Sequence, residues 1–397
     1  MNLIGRVLGA PGISELTFEK ERIRSVAPAP AGTAPTDLII APAFIDVQVN
    51  GYGGLSLSGP GAAPDTLPYM VRALRRVGVL FFFPTLTTES PENMLRAVRA
   101  IATARRDPEV AHATPFIHLE GPYISTEDGP RGAHPREHVR PPNWEEFQRL
   151  QDAAEGRVGI VTLGAEYPGS TRFIEQLVEA GVVAALGHTG ATPAQIRDAI
   201  RAGARLSTHL GNGSHALIDR HQNYIWEQLA ADELYASLIA DGHHLPPSVL
   251  KCMIRCKGVA RTILTSDAVA AAGLPPGVYS AEGREIEVLP NGRVQLAGTP
   301  FLAGSGLVLP KSIENAVRFA GVSLDDAVRM VTLNPARLMG LEERLGSIAP
   351  GKEASLTLFR WNEETASISI AGVVWRGQVV TVEEMGDVLR PAGSQAF

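Results

Sequence analysis

Several polar side chains stand where apolar, strand-like runs of the sequence stop. Glu120 ends FIHLE, His188 ends VVAALGH, His209 ends LSTH, His244 closes IADGHH and Asp267 ends ILTSD. A buried charge is costly unless it is paired or binds a metal. One carboxylate with two imidazoles is a ligand set that suits zinc and leaves an open position for water. A further carboxylate at Asp267 could then take a proton from that water.

Each of these residues also has a simpler interpretation. A glutamate at a strand end can be solvated at the surface, and a single strand-end histidine is commonly a hydrogen-bonded structural residue. Asp267, which precedes a helix-like stretch, could cap the N-terminus of that helix. The metal site is favoured because several such residues follow successive strands, whose ends would converge on one rim of a parallel barrel.

Eight apolar runs alternate with helix-like stretches over most of the chain. Thr192-Pro193 supplies a helix N-cap and a first-turn proline, and Gly203 closes the same helix. This rhythm predicts an α/β fold, a parallel (β/α)8 TIM-like barrel with its helices outside. An open doubly wound sheet is the alternative, although no Gly-x-Gly-x-x-Gly follows the first strand. The predicted strands are 44–50, 77–88, 115–122, 159–166, 182–190, 205–213, 236–244 and 261–268.

The two ends of the chain have a different pattern. Residues 1–41 and 343–397 show the alternation and turn residues of short strands. We therefore expect a small β-sandwich domain built from both termini, with residues 42–342 forming the barrel. The segment 283–298 carries Asn291-Gly292 as a hairpin turn and predicts an excursion just before the barrel closes.

The composition is that of an ordinary globular protein. Of 397 residues, 45% are hydrophobic and 20% charged, and the formal net charge is -6. No basic block indicates nucleic acid, and the mild acidity argues against a membrane partner. Without a signal-peptide pattern at Met1, the expected location is cytoplasmic. Cys252 and Cys256 could share a metal on one helix face, but no further ligand lies nearby, which favours the apolar side of a helix.

The chain resembles the amidohydrolase superfamily and, within it, the N-acetylglucosamine-6-phosphate deacetylase family. The resemblance implies a barrel with a small β domain and one divalent metal ion, with zinc expected. It also implies hydrolysis of N-acetylglucosamine 6-phosphate to glucosamine 6-phosphate and acetate. The matching stretches are PAFIDVQVNGYGG (42–54), HLEGPY (118–123), GAH (132–134), GHTGAT (187–192), THLGN (208–212), ADGHH (240–244), TSDA (265–268), LAGSGL (302–307), TLNPARLMGL (332–341) and GSIAPGKEASL (346–356).

Carried over position by position, the resemblance implies a role for each matching residue. Glu120, His188 and His209 would be the metal ligands, and Asp267 the catalytic acid/base. His134, in GAH, resembles the histidine that helps to polarise the substrate carbonyl. The implied substrate-contacting positions are Ala133, Asn212, Gly213, Leu302, Ala303 and Gly304, with His244 and Arg220 contacting phosphate.

Two departures from the family pattern bear on these expectations. Gln48-Val49-Asn50 stands where the superfamily often has His-x-His. Amides are poor zinc ligands, so a single metal is expected. The stretch 211–229 differs from the usual deacetylase sequence where the sugar phosphate would be read.

Within that stretch, Arg220 corresponds to an arginine that reaches the neighbouring subunit's site, which implies a homodimer. The alternative is a surface ion pair between Arg220 and Asp219. Two other functions stay open: an amidohydrolase with the same mechanism acting on a different N-acyl or cyclic amide, and a catalytically silent metal- or ligand-binding protein. The presence of Asp267 beside three ligands argues against the silent protein. In each case the partner is a small molecule.

Overall fold

The computed structural model describes residues 2–59, 62–281, 284–386 and 388. The strands are β1 (Asn2–Val7), β2 (Ser14–Glu19), β3 (Arg22–Pro28), β4 (Ile39–Pro42), β5 (Phe44–Val49), β6 (Gly51–Tyr52), β7 (Leu55–Ser56), β8 (Val79–Thr87), β9 (Ile117–Glu120), β10 (Val158–Leu163), β11 (Val183–Leu186), β12 (Leu206–Ser207), β13 (Tyr235–Ile239), β14 (Thr262–Thr265), β15 (Gly277–Ala281), β16 (Arg284–Val288), β17 (Val294–Leu296), β18 (Leu356–Asn362), β19 (Ser367–Trp375) and β20 (Gln378–Thr381).

The α-helices alternate with the strands through the middle of the chain. They are α1 (Thr66–Arg76), α2 (Pro91–Ala104), α3 (Pro108–Ala113), α4 (Trp144–Ala153), α5 (Ser170–Glu179), α6 (Pro193–Arg201), α7 (Tyr224–Ala230), α8 (Pro247–Lys257), α9 (Leu309–Asn315), α10 (Leu324–Arg329) and α11 (Leu333–Leu338). Short 3-10 turns occur at Arg136–His138 and Val259–Arg261, and Ala316–Ala320 is π-helical.

The predicted barrel is confirmed. One eight-stranded sheet has the order β14-β13-β12-β11-β10-β9-β8-β5, and its neighbouring strands pair in parallel. Each barrel strand begins and ends inside, or within one residue of, a predicted run, because each run is apolar enough to be buried on both faces. The longest, VLFFFPTLT of β8, is buried at every position except the last.

Among the described residues, backbone hydrogen bonds join the first and last barrel strands directly at their carboxyl ends. There the Asp267 N–H donates to the Gln48 carbonyl (3.1 Å), and the Asn50 N–H donates to the Ala268 carbonyl (2.8 Å). Further from the rim, residues 330–331 lie between the two strands, where the Met330 carbonyl accepts from the Leu264 N–H and the Val331 carbonyl from the Ile45 N–H. The closure therefore holds the ends of β5 and β14 side by side at the rim.

The helices pack their apolar sides on the barrel, and their ends follow the sequence signals. Thr192 caps α6 in a capping box with Gln195, as the Thr-Pro signal predicted. The expectation for the two cysteines was wrong, because both are exposed on α8. The buried side of that helix includes Lys257, whose ammonium donates to the carbonyl of Gln228 at 3.3 Å. The lysine stem thus lies on the buried side that the two cysteines were expected to occupy.

Strands from both termini form a separate seven-stranded sheet of order β20-β19-β18-β4-β1-β2-β3. β1 pairs with β2 through residues 2–5 and with β4 through residues 6–7, so this strand joins the two halves of the small domain. The excursion is present as the antiparallel sheet β15-β16-β17, with Asn291-Gly292 between its last two strands. The exact domain boundaries stay a prediction. Among the described residues, no helix is both long and apolar enough to cross a bilayer.

Candidate active site

Three of the polar strand-end residues converge at the carboxyl rim of the barrel. Glu120 Oε1 lies 3.1 Å from His188 Nε2 and 2.8 Å from His209 Nε2, and the two nitrogens are 3.0 Å apart. A tetrahedral zinc ion with bonds of about 2.0–2.1 Å holds its ligand atoms about 3.3 Å apart. All three side chains are buried. The triangle therefore has nearly the size that one divalent cation requires.

The backbone directs both imidazoles into this triangle. His188 Nδ1–H donates to the Pro130 carbonyl at 2.8 Å, which leaves Nε2 as the nitrogen that faces the site. The His209 N–H donates to Ser237 Oγ at 2.8 Å, which fixes the chain just after β12. His188 and His209 also have positive φ angles of 49° and 28°. This backbone conformation is strained in non-glycine residues, and strained residues are common in active sites and ligand-binding sites.

The charges in the triangle are strongly interdependent. Burial alone would raise the pKa of Glu120, but hydrogen bonds from His188 and His209 hold that pKa well below its ordinary value of 4.5. Burial lowers the pKa of His209, yet the Glu120 carboxylate outweighs this effect and raises it above 6.5. The carboxylate thus favours positive charge beside it, either as a proton or as a cation.

Asp267 is held next to the triangle by two amides. Its Oδ1 accepts from Gln48 Nε2 at 2.9 Å and from Asn50 Nδ2 at 2.6 Å, and Gln48 Nε2 also donates to Glu120 Oε1 at 2.8 Å. Burial, followed by repulsion from Glu120, raises the pKa of Asp267 to about 7. A carboxyl group in this range can both accept and return a proton near neutral pH.

The sequence did not predict that Gln48 and Asn50 donate hydrogen bonds to the two carboxylates. From the sequence, these amides served only as evidence against a second metal ion. The usable signal was their spacing, because residues two apart on one strand point to the same side. Gln48 and Asn50 therefore both face the interior at the rim. Since carboxylates can only accept hydrogen bonds, both amides present their nitrogens to Glu120 and Asp267.

His134 reaches the site from the loop after β9. Its ring lies 4.5 Å from the His188 ring, and its Nδ1 accepts from the Thr88 N–H at 3.3 Å, with Thr88 Oγ1 at 2.8 Å. Burial, followed by the neighbouring His188, lowers the pKa of His134 to about 3. The imidazole is therefore neutral with its proton on Nε2, so it can donate a hydrogen bond from that atom.

The chemistry of His134 distinguishes it from the two converging histidines. Ligand atoms of Glu120, His134 and His188 lie within 4.8 Å of one another, so His134 is close enough to neighbour a bound cation. Its Nδ1, however, already accepts from the Thr88 amide, and only His188 and His209 bring a nitrogen to about 3 Å from Glu120 Oε1. The geometry therefore favours a ligand set of one glutamate and two histidines.

Other predicted substrate contacts surround a cavity of about 390 Å³ beside His134. Ala133, Leu302 and Ala303 line it. Gly304 has a φ of 106°, and a Cβ there would lie 2.3 Å from Val269, so the loop that follows Ala303 requires glycine. The structure thus brings these four positions to the same side of the rim.

The remaining predicted contacts follow β12 and β13 at the rim. Asn212 Nδ2 donates to the His209 carbonyl at 3.2 Å, and the Gly213 backbone packs on the His188 ring. His244 Nδ1–H donates to Asp241 Oδ2 at 2.6 Å. His244 is also close enough to Asp267 for its charge to favour ionisation of that carboxyl group.

Among the described residues, the Arg220 side chain makes no polar contact with the ligand triangle or with the other predicted substrate-contacting residues. It is exposed, and within the described chain its guanidinium makes no hydrogen bond or ion pair. The alternative pairing with Asp219 is not observed either. Asp219 Oδ1 instead accepts from the N–H groups of His221 (2.9 Å) and Gln222 (2.6 Å).

Known proteins resemble this chain over most of its length. The model of the Amidohydrolase family matches residues 39–380. An N-acetylglucosamine-6-phosphate deacetylase of Bacillus subtilis is 31% identical over 89% of this chain and 87% of its own length. An N-acetylgalactosamine-6-phosphate deacetylase of Escherichia coli O157:H7 is 32% identical over 84% of this chain and 87% of its own.

A solved structure extends the likeness to three dimensions. The crystal structure of N-acetyl-D-glucosamine-6-phosphate deacetylase from Mycobacterium smegmatis has a TM-score of 0.84 and 33% identity, and the match covers 94% of this chain and 98% of that one. The family model and the two relatives indicate the same family, and the solved structure shares the fold. The chain is an enzyme of the amidohydrolase family.

Proposed function

We propose that the protein hydrolyses the N-acetyl group of N-acetylglucosamine 6-phosphate to give glucosamine 6-phosphate and acetate. The observation that carries this proposal is the convergence of Glu120, His188 and His209 beside Asp267. These are the parts that metal-assisted amide hydrolysis needs: a cation site and an adjacent acid/base. The substrate follows from the activities for which the similar proteins are named.

The proposed cofactor is one divalent cation, zinc, held by Glu120, His188 and His209. The donor set of two imidazoles and one carboxylate is typical of catalytic zinc. A cation bound there supplies a Lewis acid that polarises the amide carbonyl and acidifies water. Gln48 and Asn50 donate hydrogen bonds to the carboxylates instead of offering further ligand atoms, which supports a single-metal site.

In the proposed mechanism Asp267 moves the proton. Its Oδ1 is held by Gln48 and Asn50, so the carboxyl group is fixed in orientation while it takes a proton from the attacking water. It then returns that proton to the leaving amine. His134 donates from Nε2 to the carbonyl oxygen as negative charge develops there. Its low pKa keeps it neutral, so it serves as a donor without adding a second buried cation.

The 6-phosphate is assigned to the part of the rim that follows β12 and β13, near the Asn212 and Gly213 backbone and His244. Arg220 is proposed to complete this site in a second copy of the chain, because its guanidinium has no partner within the described chain. Two large apolar side chains of the same segment are exposed: Leu217 is 92% exposed and Trp226 is 55% exposed. Such a patch supports a protein interface, and hence the proposed homodimer.

The deciding experiment is a hydrolysis assay on a matched panel, with the protein loaded with zinc. The panel pairs N-acetylglucosamine and N-acetylgalactosamine with their 6-phosphates and adds an N-acetylated amino acid and a cyclic amide. We expect the glucosamine phosphate to give the highest kcat/KM. A preference for another amide would assign the same mechanism to a different substrate, and metal binding without turnover on any compound would indicate a silent protein.

The proposed location is the cytoplasm. Cys252 and Cys256 are free and exposed, as is common in a reducing compartment. The proposed substrate is a phosphate dianion, which does not cross membranes unaided, so the enzyme would work where the sugar is phosphorylated. Fractionation of cells that produce the native chain tests this: activity in the soluble cytoplasmic fraction is expected, and recovery outside the cell would contradict it.

A further inference from the structure

Two loops from separate barrel strands meet above His188. The His134 loop, residues 126–135, follows β9, and the Asn212 loop, residues 211–217, follows β12. Each carries positions assigned above to substrate. They are not neighbours in the sheet, because β10 and β11 lie between their strands. Contacts between the loops themselves must therefore hold them together.

His215 of the Asn212 loop supplies those contacts. Its Nε2 lies 2.7 Å from Glu127 Oε2 in the His134 loop, and its Nδ1 lies 3.1 Å from the Tyr224 hydroxyl. The same hydroxyl accepts from the His215 N–H at 2.8 Å. All three bonds are satisfied together when Tyr224 donates to Nδ1 and Nε2–H donates to Glu127.

The backbones of the two loops also touch at this point. A Cβ on Gly129 of the His134 loop would lie 3.0 Å from His215 Cα and 3.0 Å from the Ser214 carbonyl oxygen. Gly129 has a φ of 95°, so a larger residue would be strained as well as crowded. The approach of the loops is thus close and specific.

This junction encloses the ring of His188. A Cβ on Gly132 would lie 3.3 Å from His188 Cε1, and one on Gly213 would lie 2.6 Å from Nδ1, so each loop covers part of the ring. Pro130 of the His134 loop accepts the Nδ1–H bond that orients the ring. A change in the spacing of the loops would therefore shift the proposed substrate-contacting residues and also change the orientation of the His188 ring.

We propose that Glu127, His215 and Tyr224 form a clip that positions the two substrate-binding loops relative to each other. The statement that the loops bind substrate rests on the proposed function. The statement that the two loops move as a unit rests on the contacts alone. The three are positioning residues, because they act through Ala133, His134, Asn212 and Gly213 and need not touch the reacting atoms.

The two halves of the clip differ in strength. The Glu127 side chain is 63% exposed, and exposed ion pairs contribute little. Tyr224 is only 5% exposed, and its hydroxyl joins two polar groups of His215 that would lose a partner without it. Loss of the tyrosine hydroxyl should therefore have the larger effect.

The test compares Tyr224→Phe and Glu127→Gln with a matched control, Glu227→Gln. Glu227 lies on α7 with Tyr224 and forms an exposed ion pair with Arg197 at 2.7 Å, so it provides the same chemical change outside the clip. We expect Tyr224→Phe, which removes both hydrogen bonds to His215, to raise KM for the sugar phosphate about fivefold, with little change in kcat. Glu127→Gln should raise KM about twofold, and the control should have no effect.

Hydrogen–deuterium exchange supplies a readout that is independent of activity. Tyr224→Phe should increase exchange in both loops, although Tyr224 belongs to neither, and the double variant with Glu127→Gln should be no worse than Tyr224→Phe alone. Gly129→Ala separates the loops by a different route and should show the same paired increase.

The proposal is overturned if exchange rises in only one loop, or if the two single effects multiply in the double variant. It is also overturned if KM is unchanged while thermal stability falls, because that result would describe a purely structural contact. If no amino-sugar phosphate is hydrolysed, the proposed function fails, while paired exchange still decides whether the clip exists.

Discussion

Replacing Asp267 by asparagine should stabilise the metal-free protein near neutral pH while greatly slowing turnover of the loaded enzyme. In the metal-free state Asp267 is a buried carboxyl group close to a second one, Glu120, and both effects oppose its ionisation. Asparagine keeps an oxygen that can accept from Gln48 and Asn50, so these hydrogen bonds survive. Only the buried charge is removed.

The magnitude follows from the pKa of Asp267. A rise from the ordinary value of 3.8 to about 7 corresponds to about 4 kcal/mol of lost folding stability when the carboxyl group is fully ionised. Because the folded-state pKa is the higher one, the folded protein binds this proton more tightly than the unfolded chain. The penalty is therefore absent below about pH 4, grows as pH rises, and is complete above about pH 7.

Calorimetry after chelation, at pH 4.5 and pH 8, measures this directly. With an unfolding entropy of about 2 cal/mol/K per residue, a gain of about 4 kcal/mol raises Tm by roughly 5 °C for a chain of this length. We expect that gain at pH 8 and most of it to vanish at pH 4.5. An equal gain at both pH values would refute the electrostatic reasoning, because only the difference between variant and wild type isolates the charge of Asp267.

The same variant tests the role of Asp267 in the loaded enzyme. Its metal content should persist, because Asp267 lies beside the ligand triangle and asparagine can keep its two hydrogen bonds. Turnover should fall by a factor on the order of 10² or more, the usual contribution of a general acid/base. Near wild-type turnover would show that another group moves the proton.

The remaining predictions concern the metal, the carbonyl and the phosphate. Metal analysis should find one tightly bound divalent ion per chain; two ions retained after dialysis, with activity needing both, would contradict the single-metal site. His188→Ala or His209→Ala should lose metal and activity together, and either variant retaining a full equivalent would exclude that residue as a ligand. Thr88→Val removes the hydroxyl 2.8 Å from His134 Nδ1 and should lower kcat/KM roughly fivefold with metal retained; an unchanged rate would show that the Thr88 amide alone fixes the ring. Arg220→Ala should raise KM about tenfold or more for the 6-phosphate and little for the unphosphorylated sugar, since it removes a charge-assisted contact; equal effects on both would remove Arg220 from the phosphate site.

The convergence of the rim residues could be predicted because it follows from topology. Once eight buried runs are assigned to one parallel barrel, their carboxyl ends must share a rim, whatever the connecting loops do. Glu120, His188, His209 and Asp267 each stand at or just beyond such an end, so their approach needed no knowledge of side-chain packing. The same reasoning could not place Arg220, which lies in a long loop where no strand end fixes its position, so its role stays a prediction.

The sequence could not predict contacts between loops and turns, because such segments carry no hydrophobic periodicity that would fix their positions. Residues 330–331 fill the gap between the first and last strands, yet they belong to the turn between two short helices. The clip at His215 joins residue 127 to residue 224 through a side chain with no pattern around it. Cys252 and Cys256 were misplaced because the side of α8 that is buried depends on its neighbours, among them α7, where the Gln228 carbonyl accepts from Lys257.

The structure places its strain where its chemistry is. Of the described non-glycine residues, seven have positive φ angles, and three of them are His188, His209 and Asp267. Such a conformation costs on the order of 1 kcal/mol or more and persists only where the surroundings determine it. Here the barrel strand ends two residues before each of the three, so the rigid strand supplies the constraint and the chain then turns the side chain into the rim. The metal-free centre thus combines strained backbone at His188, His209 and Asp267 with a buried Asp267 carboxylate whose ionisation is disfavoured. Both features lower folding stability, and both occur at residues whose positions only binding and catalysis require.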